Sequence, residues 1–345
     1  MLMPAHLVSN LIVATLLGGV ALLAAGLCRA PLWRAAARAL ARRRPLALAA
    51  LGLYALVALL DSVSWVDARV AGDPAGASLV NHPRTLIDRL FPPDFQERSY
   101  AAPLAEVEFY GGAALQHPGA HLLGTDIIGR DVLHQTLRGA RVALLIGGLT
   151  SLIAIPLALL LGVSAGWFGG RVDDAVFFMI STLASMPGLL LLVALVMVLG
   201  TGTAQVCIAL GVTGWVGLCR LVRAETLKLR ELDYIAAARV LGATDLAIVR
   251  RHILPNLAHL VLIGFVLMFS GLVLSEVMLS WLGLGLEGSW GRMIDQARTE
   301  LSRQPAVWWN LAAASTALFG LILAVNLVAD ALRDVLDPRT ATEQR

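Results

Sequence analysis

Gly162-Val-Ser164-Ala-Gly166 has the spacing of a hydrolase elbow, in which a serine on a tight strand-to-helix turn attacks a carbonyl beside a base. Here the match lies inside an apolar helical run. The glycines read as small surfaces for close helix packing, and no nucleophile is expected at Ser164. Gly283-Leu-Gly-Leu-Glu-Gly288 has the G-x-G-x-x-G spacing of a dinucleotide loop, which requires a preceding strand and a βαβ unit. A membrane-length segment precedes it instead, so it reads as a glycine-rich turn. His117 and His121 are ligand types four residues apart, but Pro118 and Gly119 keep them off one helix face. Two ligands also fall short of the three or four usual for zinc, so an ordinary polar loop is expected there, with no metal site. Lys228 is the chain's one lysine and follows Leu227, so a phosphate-cradling G-x-x-x-x-G-K-[ST] loop is absent from the sequence. Catalytic residues are expected to be none. ATP and Mg, if they drive the work, belong to a separate polypeptide.

Membrane helices must carry whatever sites remain. The chain has 345 residues, 58% hydrophobic and 15% charged, with mean hydropathy +0.75, which excludes a soluble globule. A span needs about 20 mainly apolar residues. Seven windows qualify: Leu7–Cys28, Leu46–Asp61, Val142–Gly166, Ala175–Gly200, Ala204–Val222, Leu257–Ser280 and Trp308–Ala331. The expected fold class is all-α, a polytopic transmembrane helical bundle of about seven spans. Met1–Asn10 carries no Lys or Arg, so the first run is read as an anchor rather than a cleaved signal peptide. The net charge of +3 is modest, and no nucleic-acid partner is expected.

The distribution of arginine sets the orientation. Arg29, Arg34, Arg38, Arg42, Arg43 and Arg44 lie between spans one and two. This stretch is either an interfacial helix against anionic lipid headgroups or a plain basic loop, and both readings place it inside. Arg220, Arg223, Lys228, Arg230, Arg239, Arg250 and Arg251 surround residues 228–256, and Arg333, Arg339 and Arg345 end the chain. Seven spans then put the C-terminus in the cytoplasm and the N-terminus outside. The organisation expected is peripheral spans over 1–61, an external segment over 62–140, and a core over 141–340 with a cytoplasmic loop at 228–256. Within the external segment, Arg84–Leu90 reads as a short helix, and Thr125 or Asp126 as the cap of a helix running to about Arg138. Cys28, Cys207 and Cys219 form no CxxC pair and read as buried small apolar residues.

Residues 234–256 alternate polar and apolar positions as a short helical hairpin. Leu246, Val249 and Ile253 fall on one helical face, Gly242 supplies a break, Thr244 or Asp245 caps the second helix, and Pro255 precedes the next span. A basic hairpin between two spans has the shape to dock a cytoplasmic partner. Ser185-Met186-Pro187-Gly188 reads as a bend in span four, either lining a pathway or serving packing, and Pro156 also interrupts an apolar run. Glu276 lies in the outer part of span six, as a pathway residue or as a carboxylate reaching the interface.

Four stretches, in order, resemble the C-type permease subunit of the dipeptide, oligopeptide and nickel ABC importers. The hairpin, with Ala236-Ala237-Ala238, Gly242 and His252-Ile-Leu254-Pro255, is similar to the E-A-A-x-x-x-G…I-x-L-P loop of these permeases. The others are Leu123-Gly124-Thr125-Asp126-Ile-Ile-Gly129-Arg130-Asp131-Val-Leu133, then Glu276–Gly285 with Ser289-Trp-Gly291, and Asn326–Pro338. The resemblance covers about residues 120–340. It implies a type I ABC importer permease fold in the bacterial inner membrane. Its implied partners are a second homologous permease subunit in a heterodimer, two ABC ATPase subunits, and a periplasmic or lipid-anchored substrate-binding protein. Ala236, Ala237, Ala238, Arg239, Gly242, Leu254 and Pro255 would form the ATPase coupling loop. Gly124, Thr125, Asp126, Gly129, Arg130 and Asp131 would shape the periplasmic entrance, and Ser185, Met186, Pro187 and Glu276 the pathway. Two features depart from the pattern. Ala236 stands where the family usually has glutamate, with Glu231 or Asp233 as nearby substitutes at different spacing. The family usually has six spans, so Leu7–Cys28 reads as an addition. The cargo implied is a peptide or peptide-like compound, with a nickel or metal chelate as the alternative. The other alternative is a secondary transporter or channel, which would favour charged or broken helices paired across an internal repeat; few such charges and no repeat stand out.

Overall fold

The computed structural model describes residue 38 and residues 40–65, 84–91 and 95–336. The expected span Leu7–Cys28, together with Arg29, Arg34, Arg339 and Arg345, lies outside these residues. The elements are α1 (Pro45–Ser62), β1 (Ser64–Trp65), β2 (Arg84–Thr85), α2 (Leu86–Leu90), α3 (Val132–Phe168), α4 (Gly170–Ser185), α5 (Gly188–Leu199), α6 (Thr203–Arg230), α7 (Asp233–Val240), α8 (Asp245–Ile248), α9 (Leu254–Leu279), α10 (Trp290–Glu300) and α11 (Trp309–Leu336). A π-turn, Val249–Ile253, joins α8 to α9, and a second, Ser280–Leu284, follows α9.

Among the described residues, five helical runs are long and apolar enough to cross a membrane: α1, α3, α6, Asp245–Leu284 and Trp309–Arg333. Helices α4 and α5 make a sixth if they count as one broken span. The bend expected at Ser185–Gly188 in the span Ala175–Gly200 is there, and it is sharp: the two helices meet at 91°. The cause is local. Pro187 cannot donate into a helix, and it forces Met186 into extended backbone at φ −92°, ψ 139°. Pro156, by contrast, sits inside α3, which continues through it. Apolar side chains such as Leu160, Phe178 and Val198 are 66–84% exposed, as helices facing lipid require.

The chain divides into two compact units, Met1–Leu144 with Gly285–Ala331, and Leu145–Leu284 with Leu332–Arg345. In the first, Tyr54 of α1 donates to Ala317 O of α11 at 2.8 Å. Trp290 of α10 donates from Nε1 to Thr136 O of α3 at 2.8 Å, and its ring lies over Gly139, where a Cβ would come within 2.3 Å of it. The two-residue strands β1 and β2 pair antiparallel, with Ser64 opposite Thr85. The expected helix Arg84–Leu90 starts two residues later, at Leu86, because Thr85 is its cap and closes a capping box with Asp88.

In the second unit, α3 and α6 touch backbone to backbone. A Cβ on Gly162 would lie 2.8 Å from Cys219 O, and one on Gly166 2.9 Å from Arg223 O. The elbow-like glycines therefore serve close packing, and Ser164 Oγ donates to Leu160 O of its own helix. Arg223 of α6 grips Asp173 of α4 with two hydrogen bonds, at 2.5 and 2.6 Å. Cys207 and Cys219 are free and buried.

Candidate coupling and entrance sites

The hairpin of the second unit is built by its ends. Helix α7 begins with Asp233, which suits the positive end of the helix dipole. It closes in a Schellman motif: Ala243 N bonds Ala238 O at 3.1 Å and Gly242 N bonds Arg239 O at 3.1 Å. Gly242 takes φ +85°, with open space where a Cβ would be. Thr244, rather than Asp245, caps the next helix by accepting from Ala247 N. Ile235, fully buried, fixes α7 to a core that includes Trp167, Ile248, Ile253 and Leu257. The Arg239 guanidinium lies 5.0 Å from the centre of the Trp167 ring. Arg230 donates to Gly166 O and Trp167 O at 3.2 and 3.3 Å, satisfying carbonyls that the end of α3 leaves open.

The expected apolar face of Leu246, Val249 and Ile253 needs correcting. Leu246 is 78% exposed, and the buried stripe is Ile248, Ile253 and Leu257. Pro255 has no N–H for the carbonyl four residues back, and the preceding turn widens to the π form, which rotates α8 out of the 3.6-residue phase. Large apolar side chains protrude among the exposed charges of Arg239, Asp245, Arg250 and Arg251. Val240 and Leu241 are 88% and 86% exposed, beside the exposed Ala236, Ala237, Arg239 and Gly242. Leu254 and Pro255 are also exposed, at the foot of α9. Sequence reasoning missed Val240 and Leu241 and grouped Leu246 with the wrong face; three large apolar residues on a segment that otherwise reads as solvated were the available signal. An open cavity of about 730 Å³ lies alongside, lined by Trp167, Phe168, Arg239, Gly242, Ala243, Thr244 and Asp245.

The residues expected at the entrance, in the first unit, form a knot rather than a helix. Helix α3 begins at Val132 and not at Thr125 or Asp126. Gly124 and Gly129 take φ +76° and +77°, and a Cβ on Gly129 would fall 1.9 Å from Glu97 O. Between them Asp126, fully buried, accepts from the amides of Ile128 and Arg130 and from the side chains of Arg130 and Gln135. Thr125 accepts from Ala101 N at 2.6 Å and donates to Ser99 O at 2.8 Å. Asp131 is the residue that caps α3, accepting from His134 N at 3.1 Å. Of these six positions, only Arg130 presents much of its side chain outward, at 45%. Nearby, burial pushes Glu97 upward, but amide hydrogen bonds from Gln116 and His117 and the His121 imidazole outweigh it and hold its carboxyl below the ordinary value. His134 and the Thr85 amide likewise outweigh burial at Asp88, which is held far below it.

Ser185, Met186 and Pro187 form the elbow between α4 and α5, with Ser185 Oγ donating to Thr182 O. Glu276 is buried and accepts from Ser280 Oγ at 2.8 Å, in the second π-turn. A largely apolar groove of about 380 Å³ runs from α5 across α6 to α9, past Leu192, Leu210, Thr213, Leu272, Ser275 and Met278; none of those four residues lines it.

Residues 158–342 match the sequence model of the family described as "Binding-protein-dependent transport system inner membrane component". The chain belongs to this family. It is thus a polytopic permease subunit of an ABC importer, in which ATP hydrolysis resides in partner subunits. It is 35% identical over 223 residues to the dipeptide transport system permease protein DppC of Bacillus subtilis (strain 168), covering 64% of this chain and 69% of that one. A putative peptide transport system permease protein of Brucella suis biovar 1 (strain 1330) is 39% identical over 233 residues, or 66% and 77% of the two chains. The oligopeptide transport system permease protein OppC of Haemophilus influenzae is 34% identical over 230 residues, or 66% and 73%. Among solved structures, an inward-facing MetNI methionine ABC transporter aligns over 59% of this chain and 97% of its own, at 20% identity and a TM-score of 0.47.

Proposed function

We propose that this permease forms half of the translocation pathway for a peptide or peptide-like cargo and receives force through its 228–256 hairpin. The observation that carries the coupling role is the exposed knuckle of Val240, Leu241 and Leu246 on a hairpin anchored to the core by Ile235 and by Arg239 over Trp167. Apolar side chains this exposed fit a protein partner better than water. The cargo class rests on the likeness to the dipeptide, oligopeptide and putative peptide permeases above. The partners are a second homologous permease subunit in a heterodimer, two ATPases, and a periplasmic or lipid-anchored binding protein. Closure of the ATPases around ATP pushes the hairpin, and α3, α6 and α9 transmit the movement as packed helices with two alternative arrangements.

In this reading the fold is that of a type I importer with seven spans, of which Leu7–Cys28 is an addition. Residues 1–61 are peripheral, 62–140 periplasmic and 141–340 the core. The hairpin and the C-terminus face the cytoplasm, and the N-terminus faces outward. The knot Gly124–Asp131 shapes the entrance, and the elbow Ser185–Pro187 and Glu276 border the pathway. Exposed Ala236 leaves Glu231 and Asp233 as the nearby carboxylates. Replacing Gly242 by Trp tests the coupling. Its site is open, so the subunit should insert with only the roughly 1–2 kcal/mol strain of a left-handed residue. The side chain would stand where the ATPase seats. ATP-driven peptide uptake in proteoliposomes of the full importer should fall more than about tenfold. Undiminished uptake would remove the hairpin from the coupling path.

A further inference from the structure

The groove of about 380 Å³ between α5, α6 and α9 lies wholly within the second unit. Leu192, Leu210, Leu272 and Met278 wall it, and among the described residues no ionisable side chain lines it. Its two hydroxyls are engaged within their own helices. Thr213 Oγ donates to Ala209 O at 2.9 Å, and Ser275 Oγ to Gly271 O at 2.8 Å. Gly214 lines the groove as well. A Cβ there would lie 3.6 Å from Leu272 Cδ2, an ordinary contact, whereas one on Gly211 would fall 2.8 Å from Ile153. Helix packing therefore accounts for Gly211 but not for Gly214. What Gly214 supplies is space.

Helix geometry gives the depth of this space. The Arg223–Asp173 pair between α6 and α4 marks the inner membrane edge in the orientation proposed above. Ser185, the last residue of α4, lies about 18 Å along that helix from Asp173, and Thr213 lies about 15 Å along α6 from Arg223. Both lengths end near the middle of a hydrocarbon core about 30 Å thick. At that level α4 and α5 meet at 91°, and residues 184–190 are exposed. The first hydrogen bond of α5 runs from Leu191 N to Pro187 O, so the amides before it have no partner in the helix. Irregular backbone at membrane depth is tolerated against protein or water, not against lipid. The elbow therefore borders a space that lipid does not fill, and the groove opens beside it at Gly188 and Leu189.

We infer that this groove is a subsite for an apolar side chain of the cargo as it passes the middle of the membrane. Its volume is at the low end for ligand pockets, which suits one side chain rather than a whole oligopeptide. A charged side chain would lose its hydration there and find no partner. The unbranched thioether of Met278 can adapt to apolar groups of different shape. The inference rests on the peptide reading for the nature of the cargo.

The test uses the complete importer in proteoliposomes with leucyl-leucine and alanyl-alanine as probes. Gly214→Leu fills the groove and should lower uptake of leucyl-leucine more than about tenfold relative to alanyl-alanine. Gly217→Leu, on the same helix with nothing within 4 Å of its Cβ position, should leave that ratio unchanged. If Gly214→Leu fails to assemble, Met278→Trp replaces it, since Met278 is 54% exposed. Thr213→Cys in a Cys28→Ser background should react with a water-soluble thiol reagent, and leucyl-leucine during ATP turnover should slow the reaction severalfold. Reaction with a lipid-dissolved reagent alone would assign the groove to an acyl chain and overturn the inference. Peptide uptake with an unchanged ratio in the filled variant would overturn the subsite alone, whereas no peptide uptake by wild type would overturn the peptide reading and the subsite with it.

Discussion

Tyr100 is 2% exposed, and its hydroxyl donates to Glu300 Oε1 at 3.4 Å. Burial above all, with the Glu300 carboxylate beside it, pushes the phenol up to about 12. Burial also raises Glu300, against the hydrogen bonds from Asn310 and Tyr100. A tyrosine whose pKa is raised by folding contributes stability that is whole below its unfolded value of about 10. That contribution fades as pH climbs through the folded value, here about 12. Thermal midpoints of the purified chain from pH 8 to 12 should therefore drop more steeply for wild type than for Tyr100→Phe. Parallel curves would show that Tyr100 does not carry the alkaline transition. Nothing in the sequence marks Tyr100 or Glu300, because 200 positions separate them and only the fold makes them neighbours. The hairpin glycine was legible, since Gly242 stands where a helix must end and only a left-handed residue closes it.

At the scale of elements, local chemistry was readable and phase was not. The break at Gly242, the cap at Thr244 and the bend at Pro187 each follow from one residue's backbone preference. The Leu246–Val249–Ile253 face failed because helical periodicity assumes an unbroken 3.6-residue pitch, and the π-turn before Pro255 adds a residue to one turn. The loop Thr125–Asp131 failed as a helix for a related reason. Asp126 turns its carboxylate onto the amides two and four residues ahead, a local bond that competes with helix formation. Pro255→Ala should let Val249–Ile253 relax to regular α-helix and rotate Leu246 toward the buried side by roughly 100°. Labelling at an introduced Leu246→Cys should slow in that background, and ATP-driven uptake should fall severalfold with the subunit still inserted. Unchanged labelling and uptake would separate the π-turn from transport.

At the scale of the whole molecule, composition announced a polytopic bundle, but parity of the spans could not come from hydropathy alone. A window of apolar residues does not reveal that α4 and α5 meet at 91°. The proposed orientation is tested with a membrane-impermeant thiol reagent in a Cys28→Ser background, where Cys207 and Cys219 are buried. Ala113→Cys should react on intact cells and Ala243→Cys only after permeabilisation; the reverse pattern would invert the assignment. The protruding Val240, Leu241 and Leu246 also bear on how the cell must handle this protein. If the proposed ATPase contact covers them, a copy made in excess of its ATPases carries an adhesive surface with nothing to cover it. Balanced synthesis of the subunits, or prompt destruction of orphans, is then a condition for keeping the membrane free of aggregates.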